Sequence, residues 1–197
     1  MGDLFHEDVP NSYIQAVFTV MARCWQHTFQ ILTKRPSRIL EIISIWVNNG
    51  LTLREGFGAV LPPNVWLGVS VENQKTSEER IPLLLQTPAA VRFVSAEPLL
   101  GNIYLNHLEY EAISEIDSLR GTHGLIRPHS GKCNKLDWVI VGAESGPRRR
   151  ECDNQWIARI VKQCVDSNTP VFVKQAHEGR KVVKMPKIMG RVWDGMP

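Results

Sequence analysis

The residues predict an α/β protein built on a parallel sheet of about five strands. Three observations carry this expectation. Short apolar runs recur along the chain: H-T-F-Q-I-L-T at 27–33, V-W-L-G-V-S-V at 65–71, V-R-F-V-S at 91–95, W-V-I-V at 138–141 and V-F-V at 171–173. They show little polar–apolar alternation, as expected of strands covered on both faces. Segments with helical spacing separate most of the runs, and strands alternating with helices make β-α-β units. Finally, charged or amide groups follow all five runs, which is more than turns require.

In chain order, Met1 to Pro10 reads as a loop holding His6, Glu7 and Asp8. Asn11 or Ser12 is the expected cap of a helix to about Trp25, with Ile14, Val17, Phe18 and Met21 at helical spacing. After the first strand, Lys34-Arg35-Pro36 stops the run, and Ser37 opens a helix whose Ile39, Ile42, Ile43 and Trp46 face the core. Asn49-Gly50 ends it, and residues 51–63 read as irregular. The second strand leads to Glu72-Asn73-Gln74 and a helix capped by Ser77 through Gln86, broken off by Pro88. The third strand is followed by Glu97-Pro98-Leu99-Leu100-Gly101. Residues 105–135, rich in glycine, read as an irregular insertion. The fourth strand ends in G-A-E-S-G-P at 142–147, and Asp153 or Asn154 caps a helix through Val165. The fifth ends at Lys174-Gln175-Ala176-His177, ahead of a basic tail.

At 197 residues the chain reads as one domain, with 43% hydrophobic and 22% charged residues, as usual for a soluble globular protein. No apolar run is long enough to span a bilayer, and the acidic first ten residues do not read as a signal peptide, so the expected location is cytoplasmic. The net charge of +3 is uneven: residues 136–197 hold 11 Lys and Arg against 7 Asp and Glu. Cys24, Cys133, Cys152 and Cys164 are scattered and make no C-x-x-C pair, so neither a disulfide framework nor a complete metal motif is expected.

Right-handed crossovers bring the C-terminal ends of parallel strands to one edge. The candidate ligand-binding pocket therefore collects Lys34, Arg35, Glu72, Asn73, Glu97, Gly142, Glu144, Ser145, Lys174 and Gln175. Glu144 and Ser145 offer an acceptor and a donor. Lys34, Arg35 and Lys174 are suited either to an anionic ligand or to pairing with Glu72, Glu97 and Glu144. Arg148, Arg149 and Arg150 are a candidate nucleic-acid contact, against the plainer reading of a solvated charged loop. His123, His129 and Cys133 have zinc-compatible spacing without a fourth ligand, so no metal is expected.

Taken together, T-K-R-P, V-W-L-G-V-S-V-E-N, R-F-V-S-A-E-P-L-L-G, D-W-V-I-V-G-A-E-S-G-P and V-F-V-K-Q resemble the phage gene product 37/68 family. D-L-F-H-E-D-V-P near the start and G-R-V-W-D-G-M-P at the end extend the resemblance to almost everything outside 105–135. That family is related to radical S-adenosylmethionine enzymes, so the resemblance implies a partial (β/α) barrel or an open curved sheet. It also implies that Glu144 and Ser145 lie near a nucleoside or amino-acid group. Family members carry two further strands and a three-cysteine [4Fe–4S] segment before the D-L-F-H-E loop, which this sequence lacks. S-adenosylmethionine and a cluster are thus expected only if that segment is supplied, and no cofactor is expected for this chain alone. Ala143 replaces a family glycine, and its methyl is expected to crowd a ligand.

Three functions follow as expectations. The first is a phage- or prophage-derived, non-catalytic binding protein acting on a host protein or nucleic acid, with counter-defence as a candidate role. The second is a fragment of a radical S-adenosylmethionine enzyme. The third is a cluster-independent acid–base enzyme using Glu144, Glu97 and Lys174. Missing strands would leave a sheet edge to be covered by the N-terminal helix, by the 105–135 insertion or by a second copy in a homodimer.

Overall fold

The computed structural model describes residues 2–51, 61–110, 114–125, 130–179 and 181–197. The chain begins with α1 (Asn11–Arg23), β1 (Phe29–Thr33), α2 (Pro36–Asn48), β2 (Val65–Ser70), α3 (Gln74–Gln86) and β3 (Arg92–Ala96). Four short strands follow: β4 (Leu108–Tyr110), β5 (Ser114–Asp117), β6 (Thr122–Leu125) and β7 (Ser130–Lys132). The chain closes with β8 (Trp138–Gly142), α4 (Asn154–Asp166), β9 (Val171–Glu178) and β10 (Lys181–Lys184).

The main sheet has six strands in the order β1-β2-β3-β8-β9-β10 and curls into an open half-barrel. Its first five strands are the five parallel ones expected from the apolar runs, and β10 returns antiparallel along β9. Residues 105–135 are not irregular throughout. They hold a second, four-stranded antiparallel sheet, β4-β5-β6-β7, which packs against α3. Its strands are three or four residues long and rich in Ser, Glu, Gly and Lys, so no apolar rhythm marks them. Most of the irregular stretch 51–63 lies outside the described residues.

The strands of the main sheet alternate after all, but between two kinds of apolar side chain. Ile31, Val65, Leu67, Val69, Val94, Val139, Val141 and Val173 are buried with the aliphatic faces of α2, α3 and α4 in one core. The opposite, concave face carries rings: Trp138 meets Trp66, Phe93 and Phe172 at centroid distances of 6.1, 5.7 and 6.4 Å. Cross-strand register puts Gly68 beside Phe93. A Cβ on Gly68 would come within 2.5 Å of the Phe93 ring, so glycine there lets the ring lie flat over β2.

Local sequence sets several boundaries. Pro36 occupies the first turn of α2, where its missing N–H leaves no helical bond unmade. Helix α3 starts earlier than expected, because Asn73 rather than Ser77 is its cap. Asn73 and Thr76 form a reciprocal capping box, and Ser77 is buried with its hydroxyl donating to the Asn73 carbonyl at 2.9 Å. Asp153 caps α4 by accepting from the Gln155 N–H at 2.8 Å. Neither Asn11 nor Ser12 caps α1, whose N-cap is Pro10 with no side-chain bond. No helix among the described residues is long and apolar enough to cross a membrane.

Candidate functional site

The C-terminal ends of β1, β2, β3, β8 and β9 form the mouth of the half-barrel. Glu72, at the end of β2, is shared by two cations. Lys34 Nζ donates to one carboxylate oxygen at 2.5 Å and Arg80 Nη1 to the other at 3.0 Å. Burial of Glu72 favours the neutral acid, yet the Lys34 hydrogen bond and the Arg80 charge outweigh it and hold the group below its ordinary range. Arg80 also donates to the Ser70 carbonyl at 2.7 Å, tying α3 to β2.

Beside this cluster, Asp3 accepts from the Thr33 hydroxyl at 2.7 Å, the Phe5 N–H at 3.0 Å and Arg35 Nη1 at 2.9 Å. Burial again opposes the charge, and these donors again depress the carboxyl. The D-L-F loop is thereby pinned to the end of β1. Neither Asp3 nor Arg80 stood among the expected pocket residues. One arrives from a loop more than thirty residues upstream of Arg35, the other from the second turn of α3, and strand-end position signals neither.

Across the mouth, Lys174 Nζ and Glu97 face each other at 2.9 Å. Gln175, buried, donates from Nε2 to the Ala143 carbonyl at 2.7 Å and reaches Glu97 at 3.5 Å. Lys174, Gln175 and His177 belong to β9 itself, which runs five residues beyond the expected V-F-V. Gly142 ends β8, with its carbonyl accepting from the Leu99 N–H at 3.0 Å, while Leu100 donates to the Glu72 carbonyl at 2.8 Å. The E-P-L-L loop thus satisfies the ends of β2 and β8 together.

Several expectations are corrected here. Glu144 makes no contact with Lys34 or Lys174. Its carboxylate accepts from Arg150 Nε and Nη2 at 2.8 Å each and from the Arg150 N–H at 2.7 Å, a bidentate clamp within its own loop. These bonds lower its pKa from the ordinary 4.5 to about 2. Ser145 is exposed. Ala143 is fully buried and belongs to the hydrophobic core.

The arginine run is likewise committed in part to local contacts: Arg150 to Glu144, and Arg149 to the Gly146 carbonyl at 3.1 Å, with Arg148 exposed. His177 lies behind this loop. Its Nδ1 faces the Cys152 N–H at 3.4 Å and its Nε2 the Glu144 carbonyl at 2.9 Å, so the ring bridges the approach to α4 and the loop after β8.

Among the described residues no three His, Cys, Asp or Glu side chains gather as a metal site, and His129 lies outside them. Cys24, Cys133, Cys152 and Cys164 sit on separate parts of the fold. Burial pushes the Cys152 and Cys164 thiols up to about 11 and about 12. The four cysteines do not gather at one place as three ligands of a cluster would.

Below the rim, the concave face encloses a cup of about 370 Å³. Phe93, Trp138, Phe172, Leu32 and Ile140 line its body, Gln30 and Ser95 add polar points, and the Glu97–Lys174 pair stands at its lip. The tail closes its floor. Gly195 accepts from Trp138 Nε1 at 2.7 Å and donates to the Val171 carbonyl at 3.0 Å, which leaves Met196 in the lining. The cup was not foreseen, because it is made by residues within the strands rather than at their ends.

Comparison with known proteins finds no match among curated proteins or solved structures. One family matches from residue 1 to residue 197. Over its whole length, then, the chain belongs to the family described as a protein of unknown function, DUF5131.

Proposed function

We propose that this chain is a binding protein, and that its cup receives an aromatic side chain presented by a partner protein. The observation that carries the reading is the lining of the cup: a wall of rings below, neutral hydrogen-bonding groups midway, and an internally neutralised ion pair at the lip. An incoming ring gains edge-to-face contacts with Phe93, Trp138 and Phe172. Gln30 and Ser95 can meet a phenol or indole N–H. Buried aromatic anchors in such pockets dominate protein interfaces.

Binding is favoured over acid–base chemistry because the acid set at the centre of that scheme, Glu144, is held by Arg150. A protein partner is favoured over nucleic acid because Arg149 and Arg150 already serve their own loop. In the phage setting that the sequence resemblance implies, the partner is a host protein, and counter-defence is the role this reading extends to.

The test is calorimetric titration with N-acetyl-tyrosinamide and N-acetyl-leucinamide as probes. The tyrosine probe is expected to bind weakly and several-fold better than the leucine probe. Ile140→Trp, which fills the cup and leaves the ion pair alone, should abolish binding while preserving the circular dichroism spectrum. Equal affinity for both probes, or undiminished binding by the folded variant, overturns the reading.

A second reading is favoured by the free edge of β1, which pairs only with β2 among the described residues. Strands supplied to that edge, by this polypeptide or another, would extend the half-barrel towards the barrel of radical S-adenosylmethionine enzymes. The intact mass of the protein from its native source tests whether the same polypeptide supplies them.

A further inference from the structure

A second cavity, of about 360 Å³, lies away from the cup between α3 and the small antiparallel sheet. Its walls are almost wholly apolar, with Pro82 and Leu85 on the helix facing Tyr110 and Ile116 on the sheet. The rim is polar but neutral: Gln86, Ser114, Asn134 and His123. Among the described residues no Asp, Glu, Lys or Arg lines it.

The polar groups are already oriented. Gln86 Nε2 donates to the Tyr110 hydroxyl at 3.1 Å and to the Pro82 carbonyl at 3.1 Å, and Asn134 Nδ2 donates to the Leu85 carbonyl at 2.7 Å. With its oxygen accepting from Gln86, Tyr110 keeps its own proton for another acceptor. The two amide nitrogens are engaged, so the amide oxygens remain as acceptors.

We infer that this cleft is a binding site for a small, uncharged molecule of one or two fused rings bearing a hydrogen-bonding substituent. The volume is at the small end of ligand pockets, and a few placed polar groups on apolar walls are their usual composition. The described lining favours a neutral ligand over a charged one, because an ion entering here would shed water and meet no counter-charge among those residues. The site stands independently of the cup, since α3 separates it from the main sheet.

Cys133, half-buried on the lining, supplies a reporter. The experiment follows its modification by N-ethylmaleimide in the folded protein, resolved from Cys24 by peptide mass mapping. 1-Naphthol is the neutral probe and naphthalene-1-sulfonate its charged counterpart. 1-Naphthol is expected to slow labelling of Cys133 several-fold without changing Cys24, and to raise the melting temperature. The sulfonate should do neither. Ile116→Trp, which fills the cleft, should remove the protection. Absence of protection by 1-naphthol up to its solubility limit, or equal protection by the sulfonate, overturns the inference without reference to any variant. Protection that persists in a folded Ile116→Trp protein also overturns it.

Discussion

Glu72 shows how one residue can be both anchor and warning. Its carboxylate is shared by Lys34 and Arg80, yet Lys34 is half-exposed while Arg80 and Glu72 are largely buried. Glu72→Gln should lower the unfolding free energy by about 1–3 kcal/mol, because it strands a buried guanidinium. Lys34→Met should cost less, about 0–1 kcal/mol, because its partner keeps Arg80 and its own charge is near water. Urea unfolding of both variants checks the order. Glu144 makes a different prediction. Its pKa falls from 4.5 to about 2 on folding, so the Arg150 clamp stabilises the fold above pH 4.5 and is lost as pH drops towards 2. Arg150→Met should flatten the acid limb of the melting-temperature profile between those values, with a lower melting temperature at neutral pH and convergence on the parent protein near pH 2. At this scale the gathering of Lys34, Lys174, Glu72 and Glu97 at one edge was legible, since parallel strand ends meet there, but which base pairs with which acid came from the structure. Asp3 and Arg80 were not legible, because a partner on a loop or a helix turn is chosen by three-dimensional proximity.

Among the elements, α3 joins the two halves of the molecule: its N-terminal turn reaches the mouth and its C-terminal half walls the second cavity. Asn73→Ala removes the capping box and should cost about 1 kcal/mol. If the capped turn also holds Arg80 against Glu72, Asn73→Ala and Glu72→Gln will be non-additive in a double-mutant cycle. In β2, Gly68→Ala should destabilise by about 1–3 kcal/mol through overpacking against Phe93 and reshape the cup. Near-ultraviolet circular dichroism of the tryptophans reports that change. The main helices and the five parallel strands could be read from apolar spacing, because each buries an aliphatic stripe against the same core. The strands β4 to β7 could not, because they are short, polar and held by one another.

For the whole molecule, β1 is an edge of the half-barrel among the described residues, where it pairs with β2 alone. The small sheet does not cover it, lying instead against α3. Tyr13, Val20, Trp25 and Leu32, on α1, the loop after it and β1, are 59%, 59%, 65% and 42% exposed. The sequence expectation of a second copy at this edge is checked by light scattering: a mass that doubles with concentration, and that Val20→Lys returns to the monomer, supports it. A monomer throughout the concentration range refutes it.

Composition, apolar periodicity and strand-end chemistry were sufficient for the α/β class, the five parallel strands and a charged mouth, and they left ion pairing there as one of two alternatives. Each is a one-dimensional signal: a repeat of buried side chains, or polar groups gathered where parallel strands end. The cup, the second cavity and the capture of Glu144 by Arg150 came only from the folded chain. Curvature brings Trp66, Phe93, Trp138 and Phe172 together from four strands, and no local pattern encodes how far a sheet curls. The Glu144 loop turns back on itself through Gly146, at φ 110°, so the acid meets Arg150, six residues on, instead of the mouth. Side-chain type is written in the sequence, but the direction a side chain takes is settled by the backbone path and its competing partners.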